Sequence, residues 1–246
     1  MTMDRPTLVA VGMLAALVTL TAHEVGHLVA ANAIGVELGS TEVDDGGAIV
    51  LSVAGPLSSL IVAGLGFLLA RMGFGRPDWR TVAGWFLLSF SLWTVVGAAL
   101  ASALLETGDW MPIVNRFPNR LAQRATIGIT GLFSAGLAWR ATIYVLARVA
   151  GNGRARDRRD RARAAARMTW LGGALVAVVV AGAGFPAQAA LVVTTVPILF
   201  TSRTVEEAPV PGEPLTVDRS WLVIASAAVG IGLLVFSVRS GVRLAG

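Results

Sequence analysis

The chain alternates long apolar stretches with short polar ones. The apolar stretches cover roughly residues 7–35, 54–72, 81–105, 125–147, 168–200 and 221–238. Most are close to the ~20 residues that an α-helix needs to cross a hydrocarbon core ~30 Å thick. We therefore predict an all-α polytopic membrane protein with about six transmembrane helices. The stretch at 168–200 is longer than one crossing requires and contains Pro186, so we expect it to be broken or to form two short helices.

The segment between the first two stretches, residues 36–53, has a different pattern. Four carboxylates precede Gly46 and Gly47, and six small or aliphatic residues follow at positions 48–53. An acidic turn with two glycines before a short β-rich run is typical of a hairpin. We predict a short re-entrant β-hairpin between the first and second helices, with an ordinary surface loop as the alternative. Gly55 and Pro56 would then open the second helix, because proline suits a first helical turn.

Composition supports the membrane class. The 246 residues are 55% hydrophobic and only 14% charged, whereas soluble domains carry ~25% charged residues. The absence of cysteine excludes disulfides, thiolate metal ligands and a cysteine nucleophile. The net charge of +5 comes from arginines, which are densest in a predicted Arg-rich loop at residues 148–167. Arginines beside apolar stretches orient a membrane protein and meet anionic membrane lipid, so we expect no nucleic acid partner.

Two histidines and a glutamate interrupt the first apolar stretch. Ionisable residues at that depth are costly and indicate a functional site. His23 and His27 are the only histidines, and their spacing of four places both imidazoles on one helical face, where they can bind one metal ion. Glu24 is rotated ~100° from His23 and is placed to take a proton from a metal-bound water. Zinc suits these ligands best, although iron, cobalt or manganese would also be accepted.

A third metal ligand is expected at the end of the third apolar stretch. Glu106 and Asp109 both lie there, and a carboxylate at that place could complete a site with two helical histidines. We favour Asp109, but Glu106 is nearly as good a candidate from sequence alone. Either residue could instead belong to the membrane interface.

These motifs together resemble the zinc intramembrane proteases of the site-2 protease type. His23, Glu24 and His27, followed by Ala31 and by glycine and valine at 35–36, follow the fuller helix pattern of that family. The predicted hairpin resembles the family's re-entrant β-hairpin. The resemblance covers roughly residues 15–112.

The later motifs match the family less closely. Gly55 and Pro56 resemble the start of its Gly-Pro-x-x-Asn element, but Ser59 stands where asparagine is usual. Asp109 occupies the place of the Leu-Asp-Gly aspartate, between a glycine and a tryptophan and without a preceding Asn-x-x-Pro. Divergent bacterial members of the family loosen the same motifs.

The resemblance implies a function and a division of the chain. Residues 1–112 would form a catalytic core of three membrane helices, and residues 113–246 would add further transmembrane helices. One Zn²⁺ per chain would be held by His23, His27 and Asp109, with Glu24 as general base. Gly55, Pro56 and Ser59 would help to bind the substrate.

The implied activity is that of an endopeptidase that hydrolyses peptide bonds in or near the transmembrane segments of membrane protein substrates. The implied location is a bacterial inner membrane. The alternative is a catalytically inactive pseudoprotease or another metal-binding membrane protein. A metal carrier would need further ligands along a path, yet the later stretches contain no histidine or cysteine.

Two arguments about orientation disagree. With six crossings, a cytoplasmic N-terminus places most arginines in the cytoplasm, as the positive-inside rule favours. Members of the family, however, generally hold the metal near the cytoplasmic face. Because His23 lies ~24 Å beyond the start of the first helix, that position would require an N-terminus outside. A fourth stretch that fails to cross, given its Arg140, would reconcile the two, and the orientation stays open at this point.

Overall fold

The computed structural model of the protein describes residues 3–36, 44–115, 118–182, 194–205 and 212–239. Within these ranges the regular structure is helical, with one 3₁₀ turn at Ser202–Thr204. In chain order the helices are α1 (Arg5–Ile34), α2 (Asp45–Met72), α3 (Trp79–Leu105), α4 (Met111–Val114), α5 (Arg120–Val149), α6 (Ala155–Gly182), α7 (Ile198–Thr201) and α8 (Trp221–Arg239).

Five of these helices, α1, α2, α3, α5 and α6, are long and apolar enough to cross a membrane. The apolar part of α8, Trp221–Phe236, is shorter. The prediction of an all-α protein with several candidate membrane spans is therefore confirmed, with five rather than six long spans among the described residues.

Local signals fix the two ends of α1. Asp4 caps its first turn by accepting a hydrogen bond from the Thr7 backbone N–H at 3.0 Å. The helix ends at Gly35, whose φ of 71° is the left-handed conformation that glycine adopts most easily. Between these ends α1 packs against α2, α3, α6 and α8, and its polar residues Thr7, Thr19 and His23 are buried.

The core lies around α3, between α2 and α5. Trp85, Phe86 and Phe90 of α3 are fully buried, and the Trp85 indole N–H donates to the Thr142 carbonyl of α5 at 3.0 Å. A buried indole needs such an acceptor, because an unpaired N–H is costly in an apolar environment. This bond joins α5 to the first three helices.

The predicted β-hairpin is wrong where the structure describes that segment. Residues 48–53 belong to α2, which begins at Asp45 after an Asp44 cap that accepts from the Gly47 N–H at 2.6 Å. Pro56 consequently lies inside the helix and not in its first turn. The run has no partner strand among the described residues, and in an apolar environment a helix satisfies the backbone without one. The remainder of the predicted hairpin, residues 37–43, lies outside the described residues.

The predicted Arg-rich loop is also largely wrong. Residues 155–167 form the first part of α6, which continues through the apolar stretch to Gly182. Arginine is a good helix former, and Arg161 is buried with its guanidinium donating from Nε to the Ala150 carbonyl at 2.7 Å. In the stretch 168–200, which was predicted to break, a turn at 194–197 and then α7 follow α6. Residues 183–193, which include Pro186, lie outside the described residues.

Candidate metal centre

Three side chains from two distant parts of the sequence meet between α1, α2 and the turn after α3. His23 Nε2 lies 3.0 Å from one Asp109 carboxylate oxygen, and His27 Nε2 lies 3.5 Å from the other. Their ligand atoms all fall within 4.8 Å of one another. Tetrahedral ligands bonded to Zn²⁺ at ~2.0–2.2 Å are ~3.3 Å apart. The three residues therefore have the spacing that a shared metal ion requires.

The turn after α3 delivers Asp109. Glu106 ends α3 in the left-handed conformation, with φ of 54°, and Gly108 has φ of 106°. These two residues reverse the chain within one turn, and the Trp110 N–H then donates to Ser102 Oγ at 3.2 Å. Glu106 is the only non-glycine residue with positive φ among those described, so backbone strain is concentrated beside the ligand.

The alternative ligand, Glu106, has a different partner. Its carboxylate pairs with the Arg124 guanidinium of α5. Arg124 Nε also donates to the Ala103 carbonyl in the last turn of α3 at 2.9 Å. The structure thus brings Asp109 to the histidines and directs Glu106 towards α5.

Both imidazoles use their Nδ1 atoms for contacts with α2. His27 Nδ1 lies 2.9 Å from the Leu51 carbonyl oxygen, and His23 Nδ1 lies 3.0 Å from the buried Ser59 hydroxyl. Because a carbonyl oxygen only accepts, His27 carries its proton on Nδ1 in the neutral form, which leaves a lone pair on Nε2. Metal-binding histidines have this arrangement, in which the second nitrogen fixes the tautomer and the ring orientation.

In that tautomer the Nε2 lone pair of His27 faces an Asp109 carboxylate oxygen 3.5 Å away. The Asp109 Oδ2 atom is buried and has no hydrogen-bond partner, although His23 Nε2 lies 3.0 Å away. A carboxylate oxygen facing an imidazole lone pair is unfavourable unless a proton or a metal cation lies between them. The donor set and its geometry therefore fit a metal ion bound by His23, His27 and Asp109.

The carboxyl group of Asp109 is in its charged form at neutral pH. Burial raises its pKa, but when Nε2 of His23 and His27 is protonated the hydrogen bonds and positive charge of the imidazoles outweigh burial and hold the pKa well below its usual range. A carboxylate in this state can ligate a metal without first losing a proton.

Gly55 makes room for the three ligands. A Cβ atom added to Gly55 would lie 2.8 Å from His23 Nε2 and closer still to His27 Nε2. Any larger residue at this position would enter the space between the imidazoles. Pro56, the next residue, is buried and lacks the N–H that would bond to the Ser52 carbonyl, so the turn of α2 beside His27 has an altered backbone hydrogen-bond pattern.

Glu24 lies beside this group without joining it. It is half-buried on α1, and its charge acts on His27. Of the residues predicted for the site, the structure brings together His23, His27, Asp109, Gly55 and Ser59. Ser59 contacts an imidazole directly, so its place is beside the ligands.

Sequence reasoning missed the Leu51 carbonyl and Arg124. A backbone acceptor carries no residue-type signal, and Arg124 resembles any arginine near a membrane surface. The opposite charges of Glu106 and Arg124 were the only available indication of their pairing.

In the comparisons with known proteins, no family model, curated protein or solved structure matches the chain.

Proposed function

We propose that this chain is a zinc-dependent intramembrane endopeptidase of a bacterial inner membrane. In this proposal it hydrolyses peptide bonds in or near the transmembrane segments of membrane protein substrates. One observation carries the proposal. His23 and His27 each hold Nε2 within 3.5 Å of an Asp109 carboxylate oxygen, inside a bundle of apolar helices. Ionisable residues in such a bundle are retained for function.

The metal-binding roles follow from the contacts. His23 and His27 would bind through Nε2, with their rings held by Ser59 and by the Leu51 carbonyl, and Asp109 would supply the carboxylate ligand. Bound Zn²⁺ would act as a Lewis acid and would lower the pKa of a bound water towards ~7.

Glu24 would be the general base and then the general acid. Its carboxylate follows His23 in sequence and acts electrostatically on His27, so it lies near the reacting centre without being one of the three converging ligands. It would accept the proton of the attacking water and transfer it to the nitrogen of the departing amine. Hydrolysis is then balanced, because the C–N bond breaks, a C–O bond forms, and the water's protons end on the amine and the new carboxyl group.

One observation favours the second candidate, a metal-binding membrane protein without protease activity. Because residues 48–53 are helical, they do not supply the strand edge at which a substrate segment could pair. A protease would have to hold an unwound substrate through another element.

The decisive experiment measures zinc content and peptide cleavage in the same purified samples. Wild type should contain about one zinc per chain and should cleave a single-span membrane reporter. His23→Ala and Asp109→Asn should lose the metal. Glu24→Gln should keep the metal and lose at least ~100-fold of the cleavage rate, as expected on removal of a general base.

Glu213→Gln is the matched control, since it removes an exposed carboxylate that faces Arg76 and not the histidines. Full cleavage by Glu24→Gln would exclude the proposed mechanism. Zinc binding without cleavage of any membrane reporter by wild type would favour the second candidate.

A further inference from the structure

Segment 212–220 runs across several helix ends at one end of the bundle. It contacts the chain before and within the first turn of α1, the α2–α3 turn and the α5–α6 turn, and it leads into α8. Four backbone hydrogen bonds make these contacts: Asp4 N to Val217 O (2.9 Å), Glu213 N to Gly75 O (3.0 Å), Thr216 N to Pro77 O (3.3 Å) and Asn152 N to Glu213 O (3.4 Å). In addition, the Ser220 N–H donates to the Thr7 side chain at Oγ1 (3.0 Å). The metal centre, at the opposite ends of α2 and α3, is therefore remote from this segment.

Most of the described arginines lie at this same end, which we name the arginine-rich end. They stand at or near helix ends joined by segment 212–220: Arg5, Arg71, Arg76, Arg80, Arg148, Arg154, Arg156, Arg158, Arg159, Arg161, Arg163 and Arg219. Among the described residues near the opposite helix ends there are far fewer, namely Arg120, Arg124 and Arg239. The asymmetry is thus about fourfold, and about threefold when the buried Arg158 and Arg161 are left out.

Aromatic side chains mark the level of the headgroups at the arginine-rich end. Arg148 lies 3.9 Å from the ring centroid of Tyr144, and Arg219 lies 4.4 Å from that of Trp221. The guanidinium of Arg80 lies 5.5 Å from the Trp79 ring. Tyrosine and tryptophan are enriched at membrane interfaces, and an arginine stacked on such a ring keeps its charge available to phosphate groups.

Helix lengths place the metal centre across the hydrocarbon core from this end. Sixteen residues of α2 separate Arg71 from Gly55, a rise of ~24 Å, and eighteen residues of α1 separate Arg5 from His23, a rise of ~27 Å. These distances are close to the ~30 Å thickness of the core. The metal centre consequently lies near the opposite membrane surface.

The structure also argues against the arrangement in which the fourth apolar stretch, now part of α5, fails to cross the membrane. At one end of α5, Arg124 bonds to the last turn of α3, and farther along, the Thr142 carbonyl accepts from Trp85 near the start of α3. The helix therefore runs the length of α3 despite Arg140. The block of arginines that begins α6 lies at the end opposite to the metal centre.

From these observations we infer that the arginine-rich end faces the cytoplasm, against the anionic phospholipid headgroups of the cytoplasmic leaflet, and that the metal centre lies near the extracytoplasmic surface. Positive charge is retained on the cytoplasmic side during insertion, and exposed arginines near that surface are attracted to its anionic lipids. If the proposed function is correct, the scissile bond lies in the extracytoplasmic half of the substrate's transmembrane segment; that consequence alone rests on the proposed function.

The absence of cysteine allows a direct test. Gly75→Cys places a thiol at the arginine-rich end, and Gly46→Cys places one at the other end. Both positions are exposed glycines, and an added Cβ would meet no atom within 4 Å at Gly75 and only Asp44 Oδ1 at 3.8 Å at Gly46. Intact bacterial cells that express each variant would be treated with a membrane-impermeant maleimide, with the cysteine-free wild type as the blank.

We expect Gly46→Cys to be labelled in intact cells and Gly75→Cys to be labelled only after the membrane is broken. Labelling of Gly75→Cys in intact cells, alone or together with Gly46→Cys, would overturn the inference, as would protection of Gly46→Cys until the membrane is broken.

A second measurement avoids substitutions. Helix α8 runs beside α1, because Ser220 contacts Thr7 just before α8 begins and Gly230 lies near Leu17 farther along it. Alkaline phosphatase fused after α8 should therefore be active. An inactive but stable fusion would contradict the orientation. Neither readout depends on zinc or proteolysis, so this inference and the proposed function can fail separately.

Discussion

Gly55 of α2 lies against the metal-facing nitrogen of His23 on α1, so that a Cβ atom at this position would be 2.8 Å from His23 Nε2. Two helices can approach this closely only where one contributes a residue without a side chain. The contact explains why a glycine stands beside Pro56 within a helix.

Gly55→Ala should therefore weaken zinc binding. Overpacking of this kind costs ~1–3 kcal/mol, and ~1.4 kcal/mol corresponds to a tenfold change in affinity. We expect zinc affinity, measured by competition with a chromophoric chelator, to fall about tenfold or more. Gly64→Ala is the control, because a Cβ there would meet no atom within 4 Å. Equal affinity of the two variants would show that Gly55 does not limit the space for the ligands.

Ser59 should affect metal binding through His23. Removal of its hydroxyl in Ser59→Ala leaves His23 Nδ1 without its 3.0 Å partner, and loss of such a partner typically reduces metal affinity 10- to 100-fold. The measurement is a zinc titration of purified protein. Ser58→Ala, which alters a hydroxyl near Gly26, should bind zinc like wild type. An unchanged affinity in Ser59→Ala would assign Ser59 a role other than orientation of the imidazole.

Arg124 should position Asp109 from a different helix. It pairs with Glu106 and donates to the Ala103 carbonyl, so it stabilises the strained turn that carries the third ligand. We expect Arg124→Ala to lower zinc affinity by about tenfold, with partial recovery in Arg124→Lys, which keeps the charge but loses the second donor. Arg120→Ala, one turn earlier on α5, is the control. A drop in Arg124→Ala that Arg120→Ala reproduces would indicate a general effect of charge.

Close packing of α1 on α6 gives a prediction about stability. A Cβ atom at Gly12 would collide with the Thr169 backbone, which cannot move as a flexible side chain can. Gly12→Ala should lower the unfolding free energy in detergent by ~1–3 kcal/mol, seen as a lower Tm. Gly136→Ala, where an added Cβ meets nothing within 4 Å, should leave Tm unchanged or raise it slightly. A stable Gly12→Ala variant would mean that α1 and α6 can separate without cost.

The amino-acid sequence by itself determined the features that depend on neighbours along the chain. Runs of apolar residues set the candidate membrane helices, because length and hydropathy are local properties. The spacing of His23 and His27 set their common face, because one helical turn is a local repeat. The two histidines also needed a third ligand, and the carboxylates Glu106 and Asp109 after the third apolar stretch were the candidates for it.

Tertiary structure alone decided the rest. The position of Asp109, rather than Glu106, at the histidines depends on two residues with positive φ and on Arg124, which lies 18 residues from Glu106. Residues 48–53 have the composition of a strand, but a strand needs a partner, whereas continuation of α2 satisfies the backbone within the chain. The separation of the arginines from the metal centre likewise follows from the antiparallel packing of the helices, a relationship between distant residues that no local pattern contains.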